Sequence, residues 1–138
     1  MPVDTVSAGG PRIVLDLYEW LPPYGETAVS LRCEGLELMV EISYDVESSG
    51  VTTLEKRTVR FTGVCAFYVA ASPGVDLTRV EYSEVTPSGA VVEFVDSEAA
   101  HMWQDSLGHR QRPIRHYQVF FLAENRRLEV FAEECLSS

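Results

Sequence analysis

The chain has 138 residues, of which 46% are apolar and 23% charged, a balance that excludes a disordered chain and a collagen-like repeat. Its length suits one domain better than two, since each of two cores would sit near the lower size limit. Eleven basic residues against 21 acidic ones leave a formal charge of −10, which disfavours non-specific nucleic-acid binding, because phosphate affinity rests on clustered Lys and Arg.

Residues 1–11, small and polar and closed by Gly9-Gly10-Pro11, read as a flexible lead-in to a single β-rich domain over 12–138. They carry an acid and lack a basic or apolar region, so a secretory signal is not expected there. Ile13, Leu15 and Leu17 alternate with Val14, Asp16 and Tyr18, predicting a strand with one face buried. Leu21-Pro22-Pro23-Tyr24-Gly25 breaks it, and Trp20 and Tyr24 are expected to fold back over one end of a sheet.

A β-hairpin follows. Val29, Leu31 and Cys33 lead into a two-residue turn at Glu34-Gly35. Leu36, Leu38, Val40, Ile42, Tyr44 and Val46 then alternate with Glu37, Met39, Glu41, Ser43 and Asp45. A period of two cannot lie along one side of a helix, so one face is dry and the other wet. A polar loop at 47–50 precedes a β-branched strand ending in Val59 and Phe61. The stretch 64–69 is apolar on both faces and predicts a central strand. The longest apolar run, 64–71, falls far short of the roughly 20 residues that cross a bilayer. Ser72-Pro73-Gly74 marks a turn, Val80 and Tyr82 a strand, and 90–95 another.

Only one segment changes period. Ser97 supplies an N-cap, Glu98 an acid in the first turn and Gly108 a stop, predicting a helix over 97–107. Ala99, Met102, Trp103 and Leu107 form its apolar stripe, with Trp103 and Met102 packing on the sheet. After a loop over 108–113, Tyr117, Val119 and Phe121 and then Leu128, Val130 and Ala132 predict a closing hairpin. The fold class is therefore mainly β, an antiparallel roll, sandwich or partly closed barrel of seven to nine strands with one short helix. Its expected core is Leu15, Leu17, Val29, Leu31, Leu38, Val40, Ile42, Phe61, Phe67, Val92, Phe94, Trp103, Val119, Phe121, Leu128 and Val130.

Chemistry is harder to place. His101 falls on the polar side of the helix, and His109 and His116 flank a basic loop. None has the spacing of a metal site, so no metal or cofactor is expected. Cys33, Cys65 and Cys135 form no CxxC pair and read as small buried hydrophobes, as in a reducing cytoplasm. No nucleophile elbow, P-loop or dinucleotide motif is present, and Glu37, Glu41, Glu133 and Glu134 read as solvated.

Charge is segregated. Residues 1–55 hold ten acids and two arginines, net −8, whereas 109–127 hold five arginines and one acid, net +4. An acidic hairpin face at Glu34, Glu37, Met39, Glu41 and Asp45 is the expected partner-binding surface. Arg110, Arg112 and Arg115 form a secondary basic edge, which equally serves to neutralise nearby acids. Such fields steer encounters.

Phe61-Thr62-Gly63-Val64-Cys65-Ala66-Phe67, the helix with Trp103, His116-Tyr117-Gln118-Val119-Phe120-Phe121 and Leu128-Glu129-Val130-Phe131-Ala132-Glu133 form a pattern that resembles small bacterial β-rich proteins of unknown function. Some of these are described as immunity proteins of polymorphic toxin systems. The resemblance implies a bacterial cytoplasmic protein that binds and blocks a toxin. The expectation is a non-catalytic protein-binding module for a basic partner, without nucleic acid or membrane, and able to form homo-oligomers through edge strands. The alternative is a small-molecule carrier with an apolar cavity between curved sheet and helix. An enzyme would require a buried His paired with a carboxylate in a cleft.

Overall fold

The computed structural model describes residues 11–71, 89–108, 112–121 and 123–137. The expected turn at 72–74 and strand at 79–83 lie outside them. Nine strands are present among the described residues: β1 (Pro11–Asp16), β2 (Ala28–Glu34), β3 (Glu37–Ser48), β4 (Val51–Thr62), β5 (Ala66–Ala71), β6 (Ala90–Phe94), β7 (Arg115–Phe121), β8 (Arg126–Ala132) and β9 (Glu134–Ser137). One α-helix, α1 (Glu98–Leu107), lies between β6 and β7. No described helix is long and apolar enough to cross a membrane. The strands form a five-stranded sheet, β1-β6-β7-β8-β5, and a four-stranded sheet, β2-β3-β4-β9. Every pairing is antiparallel, and the sheets do not close into a barrel.

The core lies between the sheets. Leu38, Val40, Ile42, Val59 and Phe61 face Val91, Tyr117, Val119, Phe121, Leu128 and Val130, with Leu17 and Leu21 in the same cluster. Strict alternation in β3 puts Leu38, Val40, Ile42 and Tyr44 inside and Glu37, Met39 and Glu41 on the other face. The five-stranded sheet also buries its second face, where Ala100 of α1 packs with Ile114 and Phe131, and Trp103 lies 6.3 Å from the Phe131 ring. Strands β6, β7 and β8 are accordingly buried on both sides.

The chain passes between the sheets from β1 to β2 through 17–27 and, at a shared corner, twice more. There it leaves β4 for β5 through 63–65 and leaves β8 for β9 at Glu133. Backbone bonds from Glu133 N to Thr62 O (2.9 Å) and from Cys65 N to Phe131 O (2.8 Å) hold the two crossings together. Gly63, at φ +62°, sits so close to Glu133 that a Cβ would come within 2.5 Å of its carboxyl carbon. The left-handed backbone angle favours glycine here, and any larger residue would also have to displace the Glu133 side chain.

Several sequence expectations are corrected. The hairpin loop is Gly35-Leu36, one residue later than Glu34-Gly35, with Gly35 at φ +59° in the first loop position that a tight hairpin reserves for glycine. Leu36 is consequently 65% exposed. The register of β1 shifts between Ile13 and Leu15, which turns Ile13 out of the core. Strand β5 is not central: it pairs only with β8 among the described residues, and Phe67 is only partly buried. Leu31 and Cys33 are exposed because β2 is an edge strand. Met102 is 66% exposed and Leu107 also lies open, so the helix packs through Ala99, Ala100 and Trp103. The C-terminal strand β9, absent from the sequence reading, pairs with β4 and brings Cys135 opposite Phe61.

These assignments predict opposite outcomes for two leucine-sized truncations. Ile42→Ala is expected to cost about 2–5 kcal/mol of unfolding free energy, and Leu36→Ala less than about 0.5 kcal/mol. Equal losses in denaturant titrations would refute the shifted turn.

Candidate functional site

Three groups of side chains stand out. The first is a buried polar chain on the outer face of the five-stranded sheet, under the start of α1. The Ser97 hydroxyl lies 2.8 Å from His116 Nδ1, and His116 Nε2 lies 2.6 Å from Glu129 Oε1. Gln118 Nε2 donates to Glu129 Oε2 at 2.7 Å, and the Arg127 guanidinium lies 3.0 Å from the same oxygen. His116 packs between the rings of Phe94 and Phe131, at 4.9 and 4.5 Å. Strand pairing creates the cluster: Gln118 is the direct partner of Glu129, and His116 that of Phe131.

Ser97 Oγ accepts from Ala100 N as the helix N-cap and also shares a hydrogen bond with His116 Nδ1. The Glu129 carboxylate accepts from His116 Nε2 and from Gln118, with the Arg127 guanidinium beside it. The order Ser–His–Glu is that of a hydrolase relay, but Ser97, His116 and Glu129 are 2%, 1% and 0% exposed. None of the grooves described below is lined by Ser97, His116 or Glu129. The arrangement supports a structural role, placing the helix over the sheet.

The second group is a groove of about 470 Å³ at the open side between β1 and β9. Arg12, Arg112 and Arg115 line it together with Glu93, Glu133, Glu134, Tyr117 and Cys135. Two of the three expected basic-edge residues thus meet Arg12 here, while Arg110 lies outside the described residues. Their charges are matched. Arg12 and Arg115 both bond the nearly buried Glu93, at 2.5 and 3.1 Å, and Arg112 bonds Glu134 at 3.2 Å. Burial, aided by Glu134, pushes the Cys135 thiol up to about 12. Burial, with Cys135 and Glu93 adding to it, also pushes the Tyr117 hydroxyl above its ordinary range.

The third group is the outer face of β2-β3-β4. Glu34, Glu37, Met39, Glu41 and Asp45 do fall on this one face, as the period of two predicts. The neighbouring strands add what the hairpin sequence lacks. Arg32 and Arg60 flank Met39, Lys56 flanks Ser43, and Thr58 is paired with Glu41. Arg32 Nη2 lies 3.4 Å from Met39 Sδ, Lys56 3.9 Å from Glu41, and Arg60 4.0 Å from Glu37. The face is a mosaic with an acidic excess rather than uniformly acidic.

The remaining candidates are placed as follows. His101 is exposed beside Asp96 at 3.1 Å, as its polar position predicts, and His109 lies outside the described residues. Trp20 folds back onto Tyr44, ring centroids 4.9 Å apart, with the Arg57 guanidinium over its indole, whereas Tyr24 is exposed. Among the described residues no three His, Cys, Asp or Glu side chains gather as a metal-binding group. Sequence reasoning missed the Ser97–His116–Glu129 chain. The available signal was Glu129 in the middle of an apolar alternation, an acid too central for a solvated face.

Removing Glu129 takes a carboxylate away from the buried His116 donor and from beside the buried Arg127 guanidinium. Glu129→Ala is expected to cost about 3–5 kcal/mol, read by denaturant unfolding. A loss below 1 kcal/mol would show that the chain is not closed from water. For Cys135 the folded thiol titrates above the unfolded one, so the folded state holds more protons at intermediate pH. Its contribution is full below about pH 9 and declines as pH rises from 9 towards 12. Wild type is expected to lose on the order of 1–2 kcal/mol between pH 7.5 and 10.5 through this group. Cys135→Ala should flatten that slope, and an unchanged slope would overturn the assignment.

Comparison of the chain with protein-family models, curated proteins and solved structures finds no match, so the functional reading rests on the chemistry of these three groups.

Proposed function

We propose that the protein is a non-catalytic binding module, and that a basic protein docks on the outer face of β2-β3-β4. The observation that carries this reading is the charge excess on that face. Glu34, Glu37, Glu41, Asp45 and Glu47 stand against Arg32, Lys56 and Arg60 around a partly buried Met39. The acids remain accessible, with the Glu37 and Glu41 side chains 43% and 34% exposed. Methionine at the centre offers an adaptable apolar contact, and the surrounding charges set approach and register. A toxin is the partner that the resemblance to immunity proteins implies, and masking its basic surface would block it.

Two further observations favour this reading over its rivals. At the centre of the core the space walled by Leu17, Val40, Ile42, Val59, Phe61, Val91, Val119 and Phe121 is too tight for a water molecule. Helix α1 lies directly on the sheet through Ala100 and Trp103, in the place where a carrier would need its cavity. Against an enzyme stands the burial of Ser97, His116 and Glu129.

Affinity capture from the native host tests the proposal. The double variant Glu37→Lys/Asp45→Lys is expected to lose a basic protein that wild type retains. Glu98→Lys/Asp105→Lys, a change of equal charge on α1, should retain it. Retention by the first variant, with its circular dichroism unchanged, would refute the docking face. Association with the recovered partner should slow as salt rises.

A further inference from the structure

The outer edge of β2 has no described strand beside it. Proteins usually blunt such edges with charged side chains, proline, a bulge or a very short strand. β2 has no proline and no bulge, and its charges, Arg32 and Glu34, are of opposite sign and lie on its outer face. Its seven residues, AVSLRCE, stay in unbroken register with β3. Leu31 is 36% exposed and Cys33 is exposed, on the side of β2 that faces the other sheet. Beside them runs a groove of about 230 Å³ lined by Val29, Leu31, Val69, Phe121 and Leu128, with Glu124 and Arg126 at its rim.

We propose that β2 pairs antiparallel with β2 of a second copy about a two-fold axis at Leu31, joining two four-stranded sheets into one of eight. The choice of register follows from the side chains. Pairing must keep apolar residues on one face and polar ones on the other, so the axis passes through a residue. An axis at Arg32 sets two guanidiniums directly opposite each other. An axis at Ser30 sets Glu34 opposite Glu26 of the second copy. An axis at Val29 or Cys33 leaves three strand residues in overlap. Only the axis at Leu31 pairs all seven.

In that register Leu31 meets Leu31 of the second copy, and Val29 lies opposite its Cys33, extending the apolar row. On the outer face Ser30 lies opposite the second copy's Arg32. Ser30 is itself paired with Glu41 of β3. Each Arg32 therefore points across a small serine towards Glu41 of the other copy, about 9–10 Å away in two strand spacings. The two-fold axis makes this ion pair twice. The pairing shares Arg32 and Glu41 with the docking face proposed above, and the test of that face leaves Leu31, Arg32 and Glu41 untouched.

Sedimentation velocity of the full chain over 1–200 µM reads the outcome. Wild type is expected to dimerise as concentration rises. Arg32→Glu should weaken the dimer tenfold or more, and Arg32→Glu/Glu41→Arg should restore it. Leu31→Lys should give a monomer with an unchanged circular dichroism spectrum. Should that variant fail to fold, cross-linking decides. In a Cys33→Ser background, Leu31→Cys places two thiols on directly opposed residues, within disulfide reach, so mild oxidation should link the dimer. The Cys33 thiols of wild type lie four residues apart along the ladder, roughly 13 Å, and should not link. A wild-type chain that stays monomeric at 200 µM, or that links through Cys33 as readily as through position 31, would overturn the proposal.

Discussion

A carboxylate without access to water governs the outer layer of the molecule. Glu129 sits at the middle of β8 with no exposed surface, and its desolvation is tolerable only because His116, Gln118 and Arg127 surround it. Each partner comes from β7 or from β8 itself, so the register of that pair determines whether the charge is satisfied. The same chain of bonds continues through His116 to Ser97, which caps α1. Helix position and strand register are thereby coupled.

Closure of that side divides the labour between the faces. Under α1, reactive side chains serve packing, and the sheet surface is buried. The four-stranded sheet, by contrast, keeps one face on the core and one in solvent, the usual state of an antiparallel sheet. Polar side chains there repel neighbours of like charge and attract those opposite, so their pattern bears on partners more than on the fold. The corner at Gly63 and Glu133 holds the two sheets in one core without closing them into a barrel. Among the described residues it leaves two open sides, one lined by paired charges and one by the apolar strands β2 and β5.

Much of the architecture was legible in the sequence. Alternation from Leu38 to Tyr44 specified β3, its buried face and its wet face, because period two admits no other regular solution. Ser97 and Gly108 bounded the helix through capping chemistry that acts within a few residues. The acidic residues of β3 were correctly placed on one face for the same reason. Local rules were weaker where two answers cost nearly the same. A hairpin loop at Glu34-Gly35 or at Gly35-Leu36 differs by one residue, and the left-handed angle at Gly35 decided it.

What the sequence by itself determined is thus most of the described strands, the two faces of β3, the helix over 98–107 and the acidic balance, all properties of residues near one another in the chain. The tertiary structure alone decided which strands became edges, so that the apolar stretch at 66–71 lies at a margin while 115–121 and 126–132 lie inside. It alone set Arg32, Lys56 and Arg60 among the acids of β3, across strand pairs that no local pattern encodes. It alone brought Ser97, His116 and Glu129 into one chain, over separations of 19 and 13 residues. Burial, pairing and charge neutralisation depend on what the folded chain puts opposite each residue, and that is a property of the whole sheet rather than of any segment within it.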